Sequence, residues 1–172
     1  MARCSDLASG FAPRKAVLPL MKQAILENIR TELRQRLERL AKAALEAHAA
    51  ATDPSSKAES KYDTRNLEAS YLATGQARQV EDLAEAVRIF DALTLPELGM
   101  DDPIDAGALV EADLDGETQW FLLVPAAGGV VVSHEGMEIT LLTPESELYR
   151  KLVSLQVGDS LESPPLMVME IS

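Results

Sequence analysis

The stretch Leu26-Glu27-Asn28-Ile29-Arg30-Thr31-Glu32-Leu33-Arg34-Gln35-Arg36-Leu37, read onward through Leu40, Ala44, Ala47 and Ala51, decides the fold. Its apolar residues follow one another in alternating steps of three and four, the spacing of a seam along one side of a helix. No Gly or Pro interrupts the chain between Leu20 and Ala51, and Arg30, Arg34, Arg36, Arg39 and Lys42 alternate with Glu27, Glu32, Glu38 and Glu46 around the seam. Thirty helical residues span roughly 45 Å, too long for a helix without a partner. The partner follows at once. Thr52-Asp53-Pro54-Ser55-Ser56 breaks the helix, and a second seam runs through Leu72, Gln76, Val80, Leu83, Val87 and Phe90. Its helix is expected from about Glu59 to Leu93, with Gly75 lowering the local propensity by about 1 kcal/mol relative to Ala. Two long amphipathic helices joined by a short link form an antiparallel coiled-coil hairpin. Its tip is expected near residues 52–63, and its base needs a further surface to bury its core.

Outward from the hairpin, the period changes. Residues 96–105 form a Pro- and Asp-rich linker. Ala108–Asp113 and Gln119–Pro125 flank an Asp115-Gly116 turn and read as a β-hairpin. Val130–His134 and Met137–Leu142 are two more short strands, Glu145 to about Leu155 is a helix, and Leu166–Ile171 is a closing strand. The expected organisation is an N-terminal extension over residues 1–20, a helical hairpin over 21–95, and an antiparallel α+β domain with one helix over 106–172.

Composition narrows the function. The chain has 172 residues and a net charge of −12. The imbalance is local: residues 1–51 carry +4, whereas residues 96–172 carry −13 and hold only Arg150 and Lys151 as bases. Independent DNA binding needs a surplus of Lys and Arg and is not expected. The single cysteine, Cys4, excludes an internal disulfide and a CxxC zinc site. No apolar run reaches the ~18 residues of a membrane span. The N-terminus lacks the continuous apolar stretch of a signal peptide, so a cytoplasmic location is expected. Nucleotide-binding, zinc-protease and serine-hydrolase motifs do not occur. Gly128-Gly129 reads as a turn, His48 as a solvated or seam-edge residue, His134 as a turn residue, and Trp120 as sheet-face packing.

The hairpin tip concentrates charge in Lys57-Ala58-Glu59-Ser60-Lys61-Tyr62-Asp63-Thr64-Arg65. A helix starting near Glu59 would set Glu59 and Asp63 on one face at i, i+4. Two such carboxylates suit a Mg²⁺ ion completed by ligands from elsewhere. Acids at a helix start also complement its free N–H groups and dipole, and surface ion pairs with Lys61 and Arg65 account for them too; residue chemistry alone favours this plainer reading.

A helical hairpin with a polar tip followed by a small acidic α+β domain resembles the bacterial GreA/GreB transcript cleavage factors. The C-terminal half carries the more specific likeness: Ile139-Thr140-Leu141-Leu142-Thr143-Pro144-Glu145-Ser146-Glu147-Leu148-Tyr149, continuing to Val157-Gly158-Asp159, is similar to the family's strand, small-residue-Pro, helix and Gly-Asp signature. The tip segment, with Leu67–Leu72 and Gly75-Gln76, is similar to a divergent Gre-like subgroup. The resemblance implies an FKBP-like C-terminal domain docked at the rim of the RNA polymerase secondary channel, with most of the affinity from residues near 130–150. It implies a monomer whose hairpin enters the channel and whose tip lies near the nascent RNA 3′ end. Lys57, Lys61, Tyr62, Arg65, Thr143 and Pro144 would contact the polymerase. Glu59 and Asp63 would help hold Mg²⁺ in the polymerase active site, so the protein has no cofactor of its own and is not an enzyme alone. The family's tip pattern, D-x-x-E-N-x-E-Y, is met only in part: with Glu59 on the Glu, Ser56 takes the Asp position and Ser60 the Asn position; with Tyr62 on the Tyr, the acids fall on Ser55 and Ala58, so neither register supplies the full pair. Two alternatives therefore stand beside a cleavage factor: a channel-blocking regulator of the same fold, and a coiled-coil interaction module unrelated to polymerase.

Overall fold

A computed structural model of the protein describes residues 14–52 and 65–172, with side chains described over 21–49 and 74–172. Two long helices, α1 (Arg14–Thr52) and α2 (Arg65–Ala92), precede strands β1 (Leu109–Leu114), β2 (Glu117–Leu123), β3 (Val131–His134) and β4 (Met137–Leu142). A short helix α3 (Glu147–Leu152) and strands β5 (Ser160–Glu162) and β6 (Pro165–Ile171) complete the chain. The architecture is α+β, a helical pair joined to a six-stranded, mostly antiparallel sheet.

The seam of α1 lies where its spacing puts it. Leu26, Ile29 and Leu33 are buried, and Leu37, Leu40, Ala44 and Ala47 are half-buried in the same row. The change after Leu33 has a plain cause. Ile25, Leu26, Ile29 and Leu33 share a core with Phe90 of α2 and with Leu109, Leu122, Val132, Ile139 and Leu141 of the sheet. Farther out, α1 has only α2 to lean on, and Leu45 stands 71% exposed. The helices thus form a rod whose base is built into one face of the sheet.

Four polar ties fix that base. The Arg30 guanidinium donates from Nε to the Phe90 carbonyl at 2.8 Å and from Nη2 to the Leu93 carbonyl at 3.0 Å, capping the end of α2. Such carbonyls have no partner within their own helix, and a cation suits the negative end of the helix dipole. Arg34 adds an ion pair with Asp91 at 2.5 Å. The buried Lys22 donates from Nζ to the Pro96 carbonyl at 2.6 Å. Asn28 Nδ2 donates to His134 Nδ1 at 3.0 Å, tying α1 to the turn between β3 and β4.

Two boundaries differ from the sequence reading. Helix α1 starts at Arg14 rather than near Met21, so residues 14–20 are not part of a separate extension. Helix α3 starts and stops short of the expected Glu145–Leu155. The Ser146 side chain accepts from the Tyr149 N–H at its start. At its end the linker clamps the chain, with Ser154 N donating to Ile104 O and Ile104 N donating to Leu155 O, both at 2.8 Å.

The sheet order is β3-β4-β2-β1-β6-β5. The sheet is antiparallel as expected except for one pair, β2 with β4, which runs parallel. The reason lies in the residues of β4. Ile139 and Leu141 face the helical pair while Leu142 joins the core on the other face. A strand apolar on both faces belongs inside the sheet. The more polar β3, with Val131 and Ser133 exposed, takes the edge. Since β3 and β4 form a hairpin, placing β4 beside β2 makes that pair parallel. The second core, on the far face, packs Val110, Ala112, Phe121, Leu123, Leu142, Val168 and Ile171 under Leu152 of α3.

Candidate functional site

Two places were singled out by sequence, the hairpin tip and the loop leading into α3. Lys57, Glu59, Lys61, Tyr62 and Asp63 lie outside the described residues. Arg65 opens α2, and its side chain is likewise outside the described set. The i, i+4 pairing of Glu59 with Asp63 therefore stays an expectation.

The second place, Thr143-Pro144-Glu145-Ser146, is described fully. Strand β4 ends at Leu142, and the Ser146 N–H donates back to the Thr143 carbonyl at 2.8 Å, closing a turn with Pro144 and Glu145 at its corner. Pro at this corner fits, because its ring presets the φ that the turn needs. Thr143 is buried at 8% exposure, whereas Pro144 and Glu145 face solvent. A hydrogen bond from the Thr143 side chain, joined by one from the Glu145 backbone, holds the Glu145 carboxyl below its usual range. The Arg150 guanidinium reaches back to the Pro144 and Glu145 carbonyls at 3.3 Å each. Lys151 pairs with Glu147 at 2.7 Å and donates to the Ser163 carbonyl at 2.6 Å. Of the two bases of the acidic half, Arg150 thus braces the corner and Lys151 ties α3 to the loop before β6.

Sequence reasoning missed the residue beneath it. Gly128 had been read as part of a plain turn, yet a Cβ there would meet Thr143 Oγ1 at 2.5 Å. Glycine is required because the β2–β3 loop passes directly under the threonine that sets the corner. The only signal in the sequence was a second glycine in a turn that needed one. The arrangement leaves a braced Pro144-Glu145 corner facing solvent. No group of three His, Cys, Asp or Glu side chains placed to hold a metal ion occurs among the described residues.

His134, read as a turn residue, closes β3 and bonds Asn28 across 106 positions of sequence. Trp120 packs half-buried against the core beneath the helices, as sheet-face packing. No helix among the described residues is long and apolar enough to cross a membrane.

No protein-family model matches the chain, and no curated protein matches it. Solved structures do align with it. The crystal structure of GreA factor homolog 1 (Gfh1) of Thermus thermophilus is 24% identical, covers 83% of this chain and 94% of its own, and superposes with a TM-score of 0.33. A second structure, of the transcription factor Gfh1, is 22% identical over 83% of this chain and 92% of its own, at a TM-score of 0.33. Thermus aquaticus Gfh1 is 19% identical over 82% and 92%, at 0.32. Likeness this loose carries no functional assignment.

Proposed function

We propose that this protein is a Gre-like factor that binds RNA polymerase, reaches into its secondary channel with the helical rod, and acts on the polymerase active site rather than catalysing alone. The observation that supports it most is the division of labour in the fold. One end of the rod is built into a sheet domain, and beyond Leu33 α1 keeps only the thin seam with α2. That is the form of a probe carried on a docking body. The likeness of residues 139–149 and 157–159 to the Gre signature adds to it. The braced Pro144-Glu145 corner is the docking contact, with Thr143 setting its shape, and Lys57, Lys61, Tyr62 and Arg65 contact the channel near the RNA 3′ end.

In the stronger form of this reading, Glu59 and Asp63 add carboxylates beside the polymerase's magnesium. The chemistry supplied there is the polymerase's: a second metal ion polarises water for attack on an RNA phosphodiester. The part of this chain is to raise the occupancy of that ion, which dehydrates reluctantly and takes few protein ligands. A second reading has a specific observation behind it. Ser56 and Ser60 stand where the family's tip carries Asp and Asn, which favours a factor that occupies the channel without promoting cleavage.

Core RNA polymerase binding by the full-length protein, followed by RNA cleavage on a stalled, backtracked complex, tests both. Binding with cleavage that is lost in Glu59→Gln/Asp63→Asn establishes the cleavage factor. Binding without cleavage at saturating protein and Mg²⁺ establishes the channel regulator. No binding overturns the proposal and leaves a coiled-coil interaction module.

A further inference from the structure

The sheet face that seats the helices is only partly covered. On β4 and β2 that face carries Ile139, Leu141 and Leu122, all buried under α1 and α2. Register carries the same face onto the other half of the sheet. Trp120 pairs with Glu111, and Glu111 pairs with Glu170; Thr118 pairs with Asp113, and Asp113 pairs with Met167. A register shift between Glu111 and Ala112 leaves Met169 as the extra residue beside Glu170, on the same side. Met167 is 48% exposed and Met169 50% exposed. Glu111, Asp113 and Glu170 are half-buried around them, and none is in an ion pair among the described residues. Arg150 and Lys151, the only bases after residue 95, are engaged on α3 against the opposite face.

We infer that this half of the face docks an α-helix of a partner protein, one that presents an aliphatic stripe flanked by lysines or arginines. Three observations converge on that occupant. First, the surface is continuous with an interface where helices already lie on this sheet, and Trp120 belongs to both, packed on the covered core and paired with Glu111. Helix on sheet is how such a face is closed. Second, two neighbouring methionines offer an apolar contact that adapts to its partner, the use Met has on binding surfaces. Third, three carboxylates that no described cation answers, Asp113 accepting only the Gly116 N–H at 2.8 Å, favour a cationic rim on the partner and repel an anionic one. The surface lies on the opposite side of the sheet from the core under α3, so it is separate from the Thr143–Ser146 corner.

The test uses the full-length protein with ¹³C-labelled methionine methyls, titrated with a synthetic helical peptide of leucines along one side and lysines along the other. The Met167 and Met169 methyls should shift saturably, while Met100, 60% exposed in the linker, stays still. Glu111→Gln/Glu170→Gln should weaken the peptide at least tenfold. Asp101→Asn/Glu138→Gln, which removes the same charge elsewhere, should change it less than twofold, and the Met137 methyl reports that each variant is folded. Equal weakening in both variants, or shifts at Met100 matching those at Met167, would mean diffuse charge attraction and overturn the inference. Shifts at Met167 and Met169 that grow with protein concentration before any peptide is added would give the face to a second copy of the chain, which also overturns it.

Discussion

Lys22 is a cation sealed among apolar neighbours, and burial lowers its pKa from 10.5 to about 8, against a smaller opposing pull from Glu97. Between those two values the unfolded chain holds a proton that the folded one has released. Stability contributed at this position therefore rises as pH climbs from about 8 toward 10.5, by at most ~1.4 kcal/mol per pH unit, and is flat below. Lys22→Met should remove that rise, measured as the difference in urea midpoints between wild type and variant at pH 7, 8, 9 and 10. An identical slope in both proteins would show that Lys22 is charged in the fold. At the Thr143–Ser146 corner, Gly128→Ala pushes a methyl into Thr143. Overpacking of this kind costs roughly 1–3 kcal/mol. The cost should appear as a lowered midpoint together with displaced amide signals at Thr143 and Glu145, while α1 signals stay in place.

Among the elements, α2 is the one finished from outside. Arg30, 60 positions earlier in the chain, caps its last turn with a rigid fork whose side chain is 16% exposed. Hydrogen bonds to a charged group contribute about 1.5–3 kcal/mol, and lysine lacks the fork. Arg30→Ala should lose roughly that much in denaturant unfolding, Arg30→Lys should recover less than half, and hydrogen exchange should quicken first at residues 89–93. This contrast explains what was legible in the sequence. The seam from Leu26 to Ala47 could be read because helical period is a local property and burial followed it position by position. The hairpin turns at Asp115-Gly116 and Glu135-Gly136 could be read because their residues sit at positive φ, where glycine is favoured. Arg30 and Lys22 could not, since each answers a carbonyl on a distant element and looks in sequence like one more charge beside a seam. The parallel pairing of β2 with β4 was hidden for a related reason. It depends on which of two hairpin strands is apolar on both sides, and Leu142 reveals that only once α3 is in place.

At the scale of the whole molecule, rod and sheet share one core. A fragment of residues 100–172 would uncover Leu109, Leu122, Val132, Ile139 and Leu141 to water. Such a fragment should bind a hydrophobic dye and melt well below the full chain, whereas the intact protein should unfold in one transition by circular dichroism and dye binding alike. Two separated transitions in the intact protein would show that the hairpin and the sheet are held more loosely than their common core implies. That shared core has a mechanical meaning too. From Leu33 to Thr52 the first helix runs about 28 Å beyond its clamp. Held at one end only, it is a cantilever, and a tilt of about 10° at the clamp sweeps the free end about 5 Å. Side chains at the fulcrum, Arg30, Lys22 and the Asn28–His134 tie, therefore set by leverage where the far end points.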